Sequence, residues 1–145
     1  MRQGLAVLET RNVATYTVVF DGGSLGNPGR GYGSFKIFGS SGELAHEALS
    51  FDDRGIRVTN NEAEYLSLIA ALEWLSTLLG ERAASSEVEV FGDSLLVINQ
   101  LTGTWKVRKP DLKPLHGAAR ELLGRFGRHR LQWHERLNSV SLLGH

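Results

Sequence analysis

The hydrophobic period changes at residue 59, and this change constrains the fold more than any other feature of the sequence. Before it, three segments have the alternating pattern or the β-branched and aromatic composition of strands, at 15–21, 32–39 and 43–51. After it, from Asn60 to Leu79, good helix formers recur with a helical period. A meander of strands followed by a long helix favours a sheet that is covered by that helix.

Four further segments follow the long helix. They are a short strand that ends in Gly-Asp (86–93), a short helix (94–101), a helix with Pro near its start (109–127) and a last strand (130–136). The predicted order is therefore β-β-β-α-β-α-α-β. Because a helical crossover returns the fourth strand parallel to its neighbour, we expect an α/β fold with a five-stranded mixed sheet and helices on both faces.

Composition limits where the chain works and what it binds. With 145 residues and no cysteine, the chain is predicted to form a single domain, 1–145, with residues 1–13 as an N-terminal extension and without disulfides or thiolate zinc sites. Its first residues contain an apolar run that is too short for a signal peptide, and no segment is long enough to span a membrane. We therefore expect a cytoplasmic monomer that has no membrane partner.

Charge is distributed unevenly, although the formal net charge is zero. Residues 1–102 carry 7 Lys and Arg against 13 Asp and Glu, whereas residues 103–145 carry 9 against 3. Ordinary solvated surfaces also produce such asymmetry. The functional interpretation is an acidic metal site beside a basic surface that binds phosphates.

Two acidic residues follow strands that we expect to be neighbours. Asp21 ends the first strand and Asp93 ends the fourth. If those strands are parallel, both carboxylates emerge at the edge of the sheet where open α/β sheets bind ligands. Asp93 taken alone is also suited to cap the helix that follows it. Two acids at adjacent strand ends favour a metal site, because buried like charges are otherwise costly.

The segment TNNEAEY, residues 59–65, supplies a third acid at the start of the long helix. Steps of three and four from Glu64 reach apolar positions that must cover the sheet, whereas steps from Glu62 drift to a polar edge. Glu62 also lies three residues after Thr59, as the acid of a capping box does. We therefore expect Glu64 to lie near the two aspartates and Glu62 to cap the helix.

Three convergent carboxylates, without thiolates or clustered histidines, suit Mg²⁺ or Mn²⁺ better than zinc. Pairs of such ions, roughly 3.5 to 4 Å apart, activate a water and stabilise the leaving oxygen when a phosphodiester is cut. We therefore expect two ions with a phosphodiester substrate bound.

The segments DGGSLGNPG, TNNEAE and GDS, in this order and spacing, resemble the three signature segments of type 1 ribonuclease H. TWKVRKPDLKPL, at 104–115, resembles the matching segment of the short archaeal and bacterial members, which lack a basic protrusion. The resemblance covers about residues 14 to 140. It implies the ribonuclease H-like fold and a metal-dependent endonuclease that hydrolyses the RNA strand of RNA/DNA hybrids by a two-metal-ion mechanism, leaving 5′-phosphate and 3′-hydroxyl ends. It also leaves double-stranded RNA open as a second substrate.

The resemblance implies roles for individual residues. Asp21, Glu64 and Asp93 match the catalytic carboxylates that bind the metal ions. Five further residues match substrate contacts, namely Thr59 and Asn61 at a DNA-strand phosphate, and Gly22, Asn27 and Asn60 at the minor groove or backbone near the cut. Each asparagine is equally suited to a turn or a helix cap.

The tail, residues 135–145, departs from the family pattern. The family ends with a motif like Arg-x-x-Asn-x-x-Ala-Asp, whose aspartate is a fourth carboxylate. Here, alignment on Asn138 places Leu142 at that position, and alignment on Arg136 places Leu143 there. Two interpretations stay open. Either the Asn138 amide oxygen takes the fourth catalytic and metal-binding position through a local shift, or Asn138 caps the last turn and three carboxylates suffice.

Other functions compete with this one. An inactive or weakly active module that binds RNA/DNA hybrids is disfavoured because a decayed site has no need to keep three repelling carboxylates together. A nuclease of the same superfamily that acts on DNA is disfavoured because such proteins lack the Asn-Asn-x-x-Glu helix start. A dinucleotide-binding loop at residues 22–31 is disfavoured because the pattern that follows predicts a strand rather than a helix.

Overall fold

A computed structural model describes residues 13–51 and 57–144 of the chain. The expected N-terminal extension, residues 1–13, lies outside the described residues except for Val13. The strands are β1 Thr15–Gly26, β2 Gly29–Gly39, β3 Gly42–Ser50, β4 Glu87–Gly92 and β5 Arg128–Trp133. The helices are α1 Asn60–Leu79, α2 Leu95–Leu101, α3 Lys113–Gly124 and α4 Arg136–Leu143, with a short 3-10 helix at Gly80–Ser85.

The five strands form one mixed sheet in the order β3-β2-β1-β4-β5. β1 pairs antiparallel with β2, and β2 with β3, while β1 and β5 both run parallel to β4. The predicted meander and the predicted parallel pair of β1 and β4 are confirmed. The last pair of that parallel ladder joins Phe20 to Gly92, so Asp21 and Asp93 each lie one residue beyond it at the same edge.

β1 is longer than the sequence pattern predicts. The prediction that the strand ends at Asp21 and gives way to a loop is wrong, because the chain continues in a ladder with β2 as far as the pair of Gly26 and Gly29. Residues without side chains do not show the period of two by which a strand is recognised. The glycine-rich segment is therefore the far end of a long hairpin, which turns at Asn27 and Pro28.

Helices lie on both faces of the sheet. α1 and α3 pack together on the face to which Val18 and Phe20 point, and the core lies between these helices and the sheet. Because side chains alternate along a strand, Thr17, Val19 and Asp21 point to the other face. None of the helices in the described ranges has the length and hydrophobicity that a membrane span requires.

α4 adds one element to the predicted order, in which residues 135–145 were an atypical tail with little helix to pack. The helix packs on β1 and β2, where Lys36 Nζ donates a hydrogen bond of 3.1 Å to the carbonyl oxygen of Leu142. Its sequence has no regular apolar stripe, and Leu137 is 73% exposed while Leu143 is buried. Tertiary contacts therefore stabilise this helix more than its own pattern does.

A close approach between β1 and α1 sets the geometry of the sheet edge. A Cβ atom at Gly22 would lie 2.4 Å from the carbonyl oxygen of Ala63 and 2.7 Å from the backbone nitrogen of Glu64. Both are backbone atoms, so neither can turn away. Only glycine lets the first turn of α1 lie this close to the strand that carries Asp21.

We expect Gly22→Ala to lower the free energy of unfolding by about 1–3 kcal/mol, because the added methyl group must push the strand and the helix apart. Urea denaturation measures this change. Gly117→Ala is the matched control, since Gly117 lies inside α3 with nothing within 4 Å of its Cβ position. The control should raise stability by about 0.5–1 kcal/mol, and equal effects of the two substitutions would contradict the close approach.

Candidate active site

The N-terminus of α1 is fixed by a capping box, as predicted. The Thr59 hydroxyl accepts a hydrogen bond of 3.1 Å from the backbone N–H of Glu62, and the Glu62 carboxylate accepts one of 2.9 Å from the backbone N–H of Thr59. Two N–H groups at the helix start are thereby satisfied. Glu62 is therefore the capping residue, and the Thr59 O–H proton stays available for donation to a further acceptor.

Two of the asparagines join the β1–β2 hairpin to this helix start. The Asn60 side-chain oxygen accepts a hydrogen bond of 2.8 Å from the backbone N–H of Ser24, and the Asn27 side-chain oxygen accepts one of 3.1 Å from the backbone N–H of Asn60. Since the partners are N–H donors, they fix which amide atom is the oxygen. The amide NH₂ groups of Asn27 and Asn60 are then the donors that remain.

Glu64 lies in the second turn of α1, next to both aspartates. Burial raises the pKa of Glu64 to about 7; the hydrogen bond from Ser94 opposes this rise, the charges of Asp93 and Asp21 add to it, and Arg136 opposes it. The three acids predicted from the sequence are therefore electrostatic neighbours. Glu64 holds its proton more tightly than an ordinary carboxyl group, because its charged form is both desolvated and repelled.

Asp93 does not cap the helix that follows it. The N-cap of α2 is Ser94, whose hydroxyl accepts a hydrogen bond of 3.2 Å from the backbone N–H of Val97. The indole Nε1 of Trp133 donates a hydrogen bond of 3.0 Å to the backbone carbonyl of Asp93, and the Arg136 guanidinium lies 3.8 Å from Oδ2 of Asp93. The Trp133 bond thus fixes the backbone of Asp93, and the Asp93 carboxylate does not cap α2.

Asp21 is buried, with 4% of its surface exposed. Its Oδ1 accepts a hydrogen bond of 2.9 Å from the backbone N–H of Gly22. In the register of β1 and β2 it lies opposite Ser34, which is also buried. The backbone of Asp21 is therefore paired with β2, just beyond the end of the parallel ladder between β1 and β4.

Two carboxylate oxygens at this edge fit a cation. Among the described residues, Glu64 Oε2 and Asp93 Oδ2 are the buried side-chain oxygen or nitrogen atoms without a hydrogen-bond partner. Leaving such atoms unsatisfied is costly. Within the same ranges, no three His, Asp or Glu side chains close into a ready-made cage. An open set of hard oxygen donors suits Mg²⁺ or Mn²⁺, which keep some ligands from water or substrate.

Asn138 lies in α4 on the same face of the sheet as Asp21. Its side chain lines a groove with Thr17 and Val19, and these two residues share that face with Asp21. The residue is inside the helix, whose N-cap is Glu135 and whose C-cap is Gly144. The interpretation that Asn138 caps the last turn is therefore wrong. The leucines at the aligned fourth position, Leu142 and Leu143, offer no oxygen ligand.

His134 is a packed residue beside the site. Its Nε2 lies 2.6 Å from the Ser139 hydroxyl, its ring stacks on Phe91 with centroids 5.9 Å apart, and its backbone N–H donates to Gly92. Burial lowers the pKa of His134, and the charge of Asp93 partly offsets that decrease. The backbone bond to Gly92 continues the pairing of β4 and β5 by one residue, and the ring contacts pack the His134 side chain.

Three residues that contact the acids were not identified from the sequence. Ser94 lies beside the Glu64 carboxyl group, Trp133 holds the backbone of Asp93, and Arg136 places a positive charge beside Asp93. The N-cap role of Ser94 could have been predicted, because serine caps helices as well as aspartate does. Trp133 and Arg136 come from the far end of the chain, and no local pattern brings them to Asp93.

The sheet order and the acidic cluster define a protein of the ribonuclease H-like class. A family model described as reverse transcriptase-like matches residues 42–141. Ribonuclease HI of Halobacterium salinarum is 41% identical over 107 residues, which cover 74% of this chain and 50% of that protein. The chain thus spans about half the length of this curated relative.

Two solved structures are also similar. The N-terminal ribonuclease H domain of Rv2228c from Mycobacterium tuberculosis, a fusion with maltose-binding protein, is 35% identical with a TM-score of 0.77, covering 88% of this chain and 87% of that one. LC11-RNase H1 in complex with an RNA/DNA hybrid is 28% identical with a TM-score of 0.77, covering 87% of this chain and 89% of that one. The chain belongs to the reverse transcriptase-like family and, within it, to the type 1 ribonucleases H.

The raised pKa of Glu64 predicts how stability depends on pH. The unfolded chain ionises this group near pH 4.5 and the folded protein near pH 7, so its contribution to stability falls as pH rises between those values and is constant above them. In chelator at pH 8, we expect Glu64→Gln to be more stable than the unsubstituted protein by about 2 kcal/mol, allowing for partial solvent screening. At pH 4 the difference should be close to zero. Urea denaturation at both pH values measures it.

Glu62→Gln is the matched control for this measurement. Glutamine can still accept the hydrogen bond from the N–H of Thr59, so stability should change by less than about 0.5 kcal/mol at either pH. A gain at pH 8 from Glu62→Gln, or none from Glu64→Gln, would show that the two glutamates have been assigned to the wrong environments.

Proposed function

We propose that this chain is a metal-dependent endonuclease that hydrolyses the RNA strand of RNA/DNA hybrids. The observation that carries the proposal is the pair of buried oxygens of Glu64 and Asp93 that have no hydrogen-bond partner, beside Asp21. Ribonucleases H generally use divalent metal ions, and the LC11 relative has been solved with an RNA/DNA hybrid. The expected products carry 5′-phosphate and 3′-hydroxyl ends, and double-stranded RNA is a further substrate to test.

Asp21, Glu64 and Asp93 would hold the cations, with Mg²⁺ or Mn²⁺ as the ions and two of them when substrate is bound. Such ions supply Lewis acidity at a phosphodiester. The protein contributes the alignment of its own carboxylates. Ser94 lies beside Glu64 and lowers the pKa of its carboxyl group, and Trp133 fixes the backbone of Asp93. Arg136 balances part of the negative charge.

Substrate contacts would come from the same helix start and hairpin. The Thr59 O–H and the amide of Asn61 are proposed to hold a DNA-strand phosphate. The NH₂ groups of Asn27 and Asn60, together with Gly22, are proposed to contact the minor groove or the backbone near the cut. Small polar donors of this kind read a phosphate or a 2′-hydroxyl, which is how RNA is told from DNA.

A basic surface lies after α2. The exposed Trp105 lines a groove of about 530 Å³ with the cations Lys106, Arg108 and Lys109. Cations beside an aromatic ring suit a nucleic-acid backbone and its bases. This surface is where the positive charge of the C-terminal part of the chain, noted in the sequence, would bind the duplex.

A hybrid-binding module of low activity is the second candidate. It is favoured by the apolar side chains of Leu142 and Leu143 where the family has its fourth carboxylate. The buried oxygens of Glu64 and Asp93 that lack hydrogen bonds favour the enzyme instead, since a module that only binds duplexes gains nothing from the cost of burying them.

Cleavage of labelled duplexes tests the proposed activity. A 5′-labelled RNA/DNA hybrid should be cut in its RNA strand with Mg²⁺ or Mn²⁺ and stay intact with chelator, while double-stranded DNA stays intact throughout. Asp93→Asn should lower the rate at least about 10²-fold, because an amide cannot supply the negative charge that the site directs at a cation. A hybrid that is bound but never cut would favour the second candidate.

Substitution of Asn138 tests the proposed fourth metal donor. If its amide oxygen reaches an ion, Asn138→Ala should raise the Mn²⁺ concentration for half-maximal cleavage several-fold, and Asn138→Asp should lower it, because a carboxylate attracts the ion more strongly than an amide does. Ser141→Ala is the control, since Ser141 lines the same groove of α4. Cleavage by Asn138→Ala that matches the control at every Mn²⁺ concentration would exclude the role.

A further inference from the structure

Tyr65, the residue after Glu64, makes a buried hydrogen bond that the proposed mechanism does not use. Its hydroxyl donates to the side-chain oxygen of Gln100 over 2.6 Å. Tyr65 is fully buried in α1, and Gln100 is 5% exposed near the end of α2. The bond therefore joins the helix that carries Glu64 to the helix that follows Asp93.

The same two helices also approach each other at the site itself. Ser94, the N-cap of α2, lies beside the Glu64 carboxyl group and lowers the pKa of that group. Consecutive residues of α1 thus face the two ends of α2, which is seven residues long. The bond between Tyr65 and Gln100 anchors the far end of α2, and Asp93 directly precedes the Ser94 N-cap at its other end.

Gln100 is itself held in place. Its backbone carbonyl accepts hydrogen bonds of 3.2 Å from the N–H of Gly103 and 3.1 Å from Nε2 of His116. The His116 ring meets the Tyr65 ring edge to face, with centroids 6.5 Å apart and planes at 83°. The backbone from which the Gln100 side chain extends is therefore fixed, and the side chain itself is buried.

An apolar pair would pack these two helices without the cost of burying an amide and a hydroxyl. A directional hydrogen bond, in contrast, favours one relative position of the two helices. We propose that Tyr65 and Gln100 are a positioning pair that sets the separation of Glu64 and Asp93, and so the affinity of the site for a divalent cation. This inference rests on the proposed function, since it takes Glu64 and Asp93 as cation ligands.

Calorimetric titration with Mn²⁺, without nucleic acid, tests the pair. Tyr65→Phe should raise the Kd for Mn²⁺ about tenfold, within the range seen when a residue that supports metal ligands is lost. At saturating Mn²⁺, the kcat for a labelled hybrid should recover to within about threefold of the unsubstituted protein, and KM should not change. Circular dichroism confirms that each variant is folded at the temperature used.

The double variant Tyr65→Phe/Gln100→Met separates positioning from stability. It leaves neither polar group unpaired, so its urea midpoint should return toward that of the unsubstituted protein, while its Kd for Mn²⁺ should stay raised. It also keeps the test open if Tyr65→Phe alone does not fold. Ser67→Ala is the control, because the Ser67 hydroxyl is buried in the same helix and bonds only within it, to Ala63.

An unchanged Kd in a folded Tyr65→Phe protein, or a Kd restored in the double variant, would overturn the positioning role. Failure of the proposed function gives a different result. If the proposed function is wrong, the unsubstituted protein itself neither binds Mn²⁺ nor cuts the hybrid.

Discussion

The burial of carboxylate oxygens that have no hydrogen bond is the constraint on which the rest of the site depends. Glu64 Oε2 and Asp93 Oδ2 lie beneath the surface without hydrogen-bond partners, and Asp21 adds a third negative charge nearby. Desolvation and repulsion both oppose this arrangement. A protein that keeps it must gain from a ligand what it loses in stability, and a divalent cation relieves both costs at once.

The surrounding fold supplies the stiffness that such a site needs. Gly22 lets α1 lie against β1, Tyr65 in α1 bonds to Gln100 in α2, and Trp133 holds the backbone of Asp93 from β5. Each support comes from a different element, so the acids cannot relax apart without disturbing the sheet. Carboxylates that repel each other stay close together only where the surrounding packing fixes the positions of their side chains.

Local patterns were enough to predict the parts of the site that depend on one helix or one pair of strands. The inward direction of Glu64 follows from helical period, the capping role of Glu62 from its spacing to Thr59, and the parallel pairing of β1 and β4 from the crossover. The strand character of residues 22–26 was missed because glycines carry no side-chain pattern. α4 and its Arg136 were missed because only contacts with distant strands stabilise that helix.

Proton release on cation binding tests the central claim most directly. Because burial raises the pKa of Glu64 to about 7, a fraction of this residue is protonated at pH 7, and binding of Mn²⁺ should release protons from it, since the ion binds the ionised form. Calorimetry in two buffers of different ionisation enthalpy measures the number of protons released. We expect a measurable release from the unsubstituted protein and the loss of that release in Glu64→Gln. Equal release from both proteins, or none from either, would contradict the claim.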